Sequence, residues 1–325
     1  MKQLQKIENL SETSKKIISE HMIRKSKCQK TAFIDFLKSE LTVNGFNVSV
    51  EDYDNNSNNR NIVVGNLKEA KYIYTAHYDT CATLGLFPNF ICPKNIFLFL
   101  LFQILIGVIL VVPDIAIAFL VQYLLKPFGE TIALLGYEIT LIGLLFLSIY
   151  LLLYGFPNKN NYNDNTSGVI TLIEMMKKIP EEDRGKICFV FFDNEEKGLL
   201  GSKAFFKKHL FDGIEKKLLV NFDCVSEGDN LLFIHKNADE AIIKHINNYQ
   251  EKAANKLLIT SSYKKAIFPS DHKKFPNYIG VGAFNKKKGI GLYLGRIHTK
   301  RDIIFDEDNI FLLRDIFIDS LNKIS

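Results

Sequence analysis

The sequence predicts an α/β protein of three layers, with a central mixed, mostly parallel sheet, interrupted by a two-helix transmembrane hairpin. Three observations carry this expectation. Short strand-like apolar runs alternate with helix-periodic segments at both ends of the chain, which is the pattern of a sheet covered on both faces. The charges avoid one block: of 41 basic and 36 acidic residues, only Asp114, Lys126, Glu130 and Glu138 fall within residues 95–158. That block also contains apolar runs long enough to cross a bilayer.

Taken in order, residues 14–42 predict one helix, with Ile17, Ile18, Met22, Ile23, Phe33, Phe36, Leu37 and Leu41 broadly on one face and Asn44-Gly45 ending it. Strands are expected at Phe46–Val50 and Asn61–Val64 around a polar turn at 54–60, and at Lys71–Ala76, which runs straight into His77. Ile96–Val112 and Thr131–Tyr154 follow. At 1.5 Å per residue they span about 25 Å and about 36 Å, against roughly 30 Å of hydrocarbon. The first is short unless Ile115–Leu125 extends it past Pro113; otherwise that stretch lies in the interface. Beyond the block come a helix from Val169 stopped by Pro180, strand Lys186–Phe192, helix Gly201–Leu210 and strand Lys217–Phe222. Helix 238–255, a strand near 257–260, strand Ile279–Phe284 and a helix at 308–323 complete the chain.

The 261 residues outside the block carry the remaining 73 charges, roughly 28%, an ordinary share for a water-soluble domain. A catalytic body of residues 1–91 and 157–325 interrupted by an insert at 92–156 is therefore expected, which excludes a disordered chain and a disulfide scaffold. The lysines are scattered, giving no basic stripe for nucleic acid, whereas anionic lipid headgroups suit a mildly basic surface. Five cysteines without a CxxC pair read as reduced thiols, and the first residues have no apolar core of the secretory kind.

Three apolar strands end in an acid or a histidine. KYIYTAHYD brings His77 and Asp79, KICFVFFDNEE brings Glu195 and Glu196, and KLLVNFD brings Asp223. Ligands of open α/β sheets gather beyond the carboxyl ends of the strands. A further acid, Asp164, opens a helix. Crowded carboxylates repel one another and call for cationic compensation, which two divalent metals supply. Imidazole and carboxylate without thiolate suit Zn²⁺ best, then Co²⁺ or Mn²⁺. Singly each signal is weak: an HxD is commonly a satisfied polar pair, an EE pair a solvated helix face, and an acid before a helix a cap.

Together and in this order the pieces AHYD (76–79), NDNTSGV (163–169), FFDNEEKGLLGS (191–202), NFDCV (221–225), SDHKKF (270–275) and RIHTKRD (296–302) resemble the co-catalytic di-zinc aminopeptidase family. That family includes secreted leucyl aminopeptidases, aminopeptidase Y, glutamate carboxypeptidase II and the glutaminyl cyclases. The resemblance implies a zinc-exopeptidase-like fold and a zinc aminopeptidase acting on peptides. It implies that His77 and Asp223 hold one zinc, that Glu196 and His298 hold the other, and that Asp164 bridges them. Asp79 would orient the His77 ring, Glu195 would be the general base, and Asp271 and His272 would lie near the pocket rim. His21, His209, His235 and His245 match nothing and read as surface residues. Five filled ligand positions speak against a non-catalytic membrane scaffold and against the single-zinc cyclase branch. Carboxypeptidase-like or cyclase-like chemistry remains the alternative within the family. The 87 residues from His77 to Asp164 depart from the family's short loop.

Because His77 precedes the insert and the other implied ligands follow it, the chain must cross the bilayer an even number of times. Two crossings through residues 96–154, with the catalytic body in the cytoplasm, are expected from the absence of an export signal and the lysine content. The insert leaves from the strand edge that carries the site. An active-site mouth facing the membrane, open to membrane-associated peptides, is therefore also expected.

Overall fold

The computed structural model describes residues 5–53, 59–83 and 89–321. Among these, β1 (Gln5–Lys6) pairs with β11 (Phe305–Asp306) apart from the main sheet. The main sheet contains β2 (Val48–Asp52), β3 (Arg60–Val64), β4 (Tyr72–His77), β5 (Ile187–Phe192), β6 (Leu218–Phe222), β7 (Asn230–Lys236), β8 (Leu257–Ser262), β9 (Tyr278–Lys287) and β10 (Gly291–Tyr293). The order is β2-β3-β5-β4-β6-β9-β7-β8, with β10 on β9. The middle strands β5, β4, β6 and β9 run parallel, and antiparallel pairs flank them. The parallel register sets His77 opposite Phe192 and Thr75 opposite Asn221. The carboxyl ends of three strands therefore open onto one place.

The helices are α1 (Glu12–Glu20), α2 (Lys27–Val43), α3 (Ile96–Leu125), α4 (Glu130–Tyr154), α5 (Gly168–Lys178), α6 (Leu200–Lys208), α7 (Glu240–Asn248) and α8 (Glu307–Leu321). Alternation along the strands sorts the core into two layers. Tyr72, Tyr74, Ile187, Phe189 and Phe191 pack with α1, α2, α5, α7 and α8. Ile73, Cys188, Val190 and Phe192 pack with Phe205 of α6 and with Phe268 and Phe275. Gly168 opens α5 where any Cβ would lie 2.3 Å from the Phe222 carbonyl, so only glycine lets this helix approach the end of β6.

Several boundaries differ from the sequence reading. The single helix expected at 14–42 is two, α1 and α2, because the intervening segment is held by other contacts. Ser26 caps α2 in a capping box with Gln29. The buried Arg24 donates from its guanidinium to the His21 and Tyr78 carbonyls and to Thr166 Oγ1. Strand β7 has no counterpart in the sequence reading. The helix expected over 238–255 ends at Asn248, followed by a 3₁₀ turn over Tyr249–Lys252. Most of the turn expected at 54–60, and the last residues of the helix expected to reach 323, lie outside the described residues.

The apolar block forms two packed antiparallel helices. α3 continues through Pro113, so Ile115–Leu125 extends the first run rather than forming a separate segment. Asp114 beside that proline accepts a hydrogen bond from Ser148 Oγ of α4 at 3.0 Å. Unlike the core helices of the body, both expose almost all of their apolar side chains. Both helices are long and apolar enough to cross a membrane.

Candidate metal centre

The site lies beyond the carboxyl ends of β4, β5 and β6. β4 delivers His77 as its last residue, Asp223 follows β6, and a tight turn after β5 carries Glu195 and Glu196. Asp164 comes from the turn before α5, where the Asp164–Asn165 peptide is cis. His298 arrives from the long connection after β10. Three non-glycine residues here hold left-handed backbone: Asn194 before Glu195, Cys224 after Asp223, and His298 itself. Such conformations cost of order 1–3 kcal/mol each and collect where surrounding packing imposes a side-chain direction.

The distances sort these groups into two sides of one cluster. His77 Nε2 lies 3.3 Å from Asp164 Oδ1 and 3.6 Å from Asp223 Oδ1. His298 Nε2 lies 3.0 Å from Asp164 Oδ2 and 3.3 Å from Glu196 Oε2. Asp164 thus turns one oxygen to each side. Donor atoms of His77, Asp164 and Asp223 fall within 4.8 Å of one another, as do those of Cys81, Glu196 and His298 and those of His77, Glu195 and Glu196. All five residues that the sequence resemblance marks as ligands meet here, joined by Glu195.

Asp79 also reaches the site, with its carboxylate placed more toward the Glu195–Glu196 turn than toward the histidine. It accepts the backbone N–H of Glu195 at 3.0 Å and of Glu196 at 3.3 Å. Its Oδ1 stands 3.5 Å from His77 Nδ1, whereas its own carbonyl lies 3.1 Å from that nitrogen. Asp271 and His272 are not on the rim. Both are buried and neither lines the pocket, and the His272 ring lies against Gly280, where a Cβ would approach it to 2.6 Å. Burial pushes the Asp271 carboxyl up to about 7 and the His272 ring down to about 3. Of the histidines expected at the surface, His245 is buried with Nε2 on the Ile316 carbonyl, and His209 sits between Glu51 and Asp212.

Other residues that hold the site carried little sequence signal. Asp302 accepts the backbone N–H groups of Asn163 and Asp164 at 2.9 and 3.0 Å, fixing the turn that presents Asp164. It lies in the RIHTKRD piece, so its location was legible although its role was not. Lys30 of α2 forms a buried ion pair with Asp193 and donates to Asn194 Oδ1 at 2.8 Å, bracing the approach to Glu195. Neither Lys30 nor Arg24 stands in any local motif.

The electrostatics call for a cation. Burial pushes the Glu195 and Glu196 carboxyls well above the usual range, and neighbouring carboxylates add to this while His77 opposes it. Burial disfavours the His77 cation, yet Glu195, Asp164 and Asp223 together hold its pKa well above that of a free imidazole. Burial likewise opposes ionisation of Asp164, but His298 and His77 prevail and keep it well below the ordinary carboxylate value. His77 Nε2 and Glu196 Oε1 are buried without a hydrogen-bond partner. Orphaned donor atoms facing one another across a carboxylate fit a bound divalent metal, and the imidazole–carboxylate set fits zinc.

Open α/β sheets gather ligands beyond the carboxyl ends of their strands, and the donor residues that could hold a metal lie at that edge. Residues 156–311 match the profile of Peptidase family M28. The matched segment holds Asp164, Glu196, Asp223 and His298, and the match marks the chain as a hydrolase of the zinc metallopeptidase class. No curated protein matches the chain in sequence. Among solved structures it is similar to glutaminyl cyclase of Porphyromonas gingivalis, at 16% identity and a TM-score of 0.59, covering 96% of each chain. It is also similar to a Zn-dependent exopeptidase of Parabacteroides distasonis, at 15% identity and a TM-score of 0.57, covering 95% of this chain and 94% of that one. The LapA aminopeptidase of Legionella pneumophila shares 13% identity at a TM-score of 0.56, covering 96% of this chain and 70% of that one. These likenesses establish the zinc-exopeptidase fold.

Proposed function

We propose that the chain is a membrane-anchored zinc aminopeptidase that removes N-terminal residues from peptides, with two zinc ions in the cluster. The observation that carries this reading is the placement of Asp164, with one oxygen toward His77 and the other toward His298. His77 and Asp223 would hold one ion and Glu196 and His298 the other, with Asp164 shared; Co²⁺ or Mn²⁺ fits the same donors. Bound zinc supplies Lewis acidity, activating water and polarising the scissile carbonyl. Glu195 accepts the proton of the attacking water and returns it to the leaving amine. Asp79 anchors the backbone on which Glu195 and Glu196 stand and faces the His77 ring, so it acts as a positioning residue. Asp271 and His272 are buried and line no part of the pocket.

Residues 92–156 act as the membrane insert in this reading. α3 and α4 cross the bilayer once each, and the body formed by residues 1–91 and 157–325 stays on the cytoplasmic side. The exposure and apolarity of both helices support the two crossings, and the lysine content of the body supports its side.

Two measurements test the assignment. Zinc-loaded protein in detergent is expected to release the first residue of peptides with a free N-terminus and nothing from the N-acetylated forms. Removal of C-terminal residues, or cyclisation of an N-terminal glutamine without release, would replace this reading with one of its relatives' chemistries. Asp302→Asn is expected to weaken zinc binding about 10–100-fold, because the groups that orient ligands are worth that much. A chelator competition titration with wild-type affinity would refute the role of Asp302.

A further inference from the structure

The pocket over the cluster has a cavity of about 240 Å³, and part of its wall belongs to α3. Phe99 and Gln103, in the first turns of that helix, line it together with Glu195, Glu196, Asp223 and His298. Gln103 Nε2 reaches Asn89 Oδ1 at 3.4 Å, and the Phe90 ring lies tilted against Phe102 with centroids 4.2 Å apart, tying these turns to the body.

Contacts between α3 and α4 set their relative height. Asp114 meets Ser148, and the Phe119 ring packs at a tilt against Tyr137. In that antiparallel register the end of α4 at Tyr154 falls level with α3 near residue 105. About 20 residues of α3 are then paired, roughly 30 Å, which matches one hydrocarbon thickness. The earlier turns, carrying Phe99 and Gln103, lie beside the catalytic body. Their outward face is nonetheless apolar and exposed: Phe97 is 72% and Ile104 is 64% accessible. Cations gather at the same level. Lys25 Nζ donates to the Leu153 carbonyl at 2.8 Å, Lys197 Nζ lies 4.8 Å from the Tyr154 ring, and Lys94 is exposed just before α3. Lysines at this height suit a phosphate headgroup layer.

Resting on the aminopeptidase reading above, we propose that the substrates are polypeptides anchored in the same bilayer, and that Phe99 and Gln103 form the subsite receiving the residues just behind the scissile bond. The cavity is too small for more than the end of a chain. Part of the wall past which the rest of that chain runs is α3, which enters the hydrocarbon within about one turn of Gln103. An apolar anchored segment runs along that helix without losing its lipid contacts, whereas a soluble peptide gains nothing there.

The test uses the full-length zinc-loaded protein in vesicles of phosphatidylcholine and phosphatidylglycerol. Two peptides share the same free N-terminal sequence; one continues into a 20-residue apolar helix, long enough to span the bilayer, and the other ends in solution. At equal total concentration the anchored peptide is expected to lose its first residue about tenfold faster or more, as confinement to a shared surface allows. In the double variant Phe99→Ala, Gln103→Ala the preference is expected to fall several-fold, to the part that shared confinement alone supplies. Equal rates for the two peptides in the wild type overturn the proposal and leave the aminopeptidase reading standing. A preference undiminished in the double variant also overturns it, because confinement alone then explains the effect. Release from neither peptide removes the aminopeptidase reading and this inference with it. As a readout independent of turnover and of the double variant's folding, a photo-crosslinker replacing Gln103 in the Glu195→Gln protein is expected to capture the anchored peptide near its N-terminus. Capture only of its membrane-spanning part contradicts the subsite.

Discussion

Glu195→Gln is expected to lower kcat by about 10²–10⁴-fold, the usual contribution of a positioned general base, while zinc content and KM remain near wild type. The reason is the separation of tasks within the turn after β5. The backbone at Glu195 and Glu196 is fixed by the Asp79 carboxylate, so the amide replacement leaves the turn in place. The neutral side chain keeps nearly the same volume but cannot take a proton. One competing arrangement is present in the geometry, since donor atoms of His77, Glu195 and Glu196 also converge within 4.8 Å. Metal analysis separates the two. Zinc that falls along with activity marks Glu195 as a ligand, and turnover within tenfold of wild type removes it from the proton transfer altogether.

The second large effect is expected at Asp164. Its oxygens face His77 on one side and His298 on the other, so Asp164→Ala deletes a contact from both halves of the cluster. Zinc per chain is expected to fall from about two to below one, and activity by on the order of 10³-fold or more, because residues that act as one unit fail together. His298→Ala removes a donor from one half only and is expected to retain the ion held beside His77. If Asp164→Ala retains as much zinc as His298→Ala, Asp164 is not shared between two ions. Elemental analysis of the two variants purified side by side decides this.

The helical pair lies outside the segment that matches the peptidase profile. The pair enters between His77 and Asp164, two of the five clustered donor residues, and the sheet closes over that interruption because β4 already lies between β5 and β6. An insertion at the carboxyl end of a central strand must emerge beside the site. This explains how a helix with an exposed apolar face can also furnish a wall of the pocket.

Local strings determined a good part of this protein. KYIYTAH, KICFVFF and KLLVNF are legible as buried parallel strands, and the acids and histidine just beyond them were placed together by a rule of sheet geometry: parallel neighbours end at the same edge. The apolar block was legible for a similar reason, since its length and lack of charge are properties of contiguous sequence. Tertiary structure decided what depends on partners far along the chain. His272 was expected near the pocket rim, yet it is buried, because Gly280 of β9 leaves room for its ring. The break between α1 and α2 follows from Arg24 reaching the carbonyl of Tyr78 and the hydroxyl of Thr166, contacts that no periodicity within 14–42 encodes. The same holds for Asp302 gripping the turn at Asp164, and for Phe99 and Gln103 lining a catalytic pocket from a helix that reads as a membrane span. Residue type and spacing set which groups can bind a metal. The direction each side chain takes is set by packing and hydrogen bonds between segments that meet only in the folded protein.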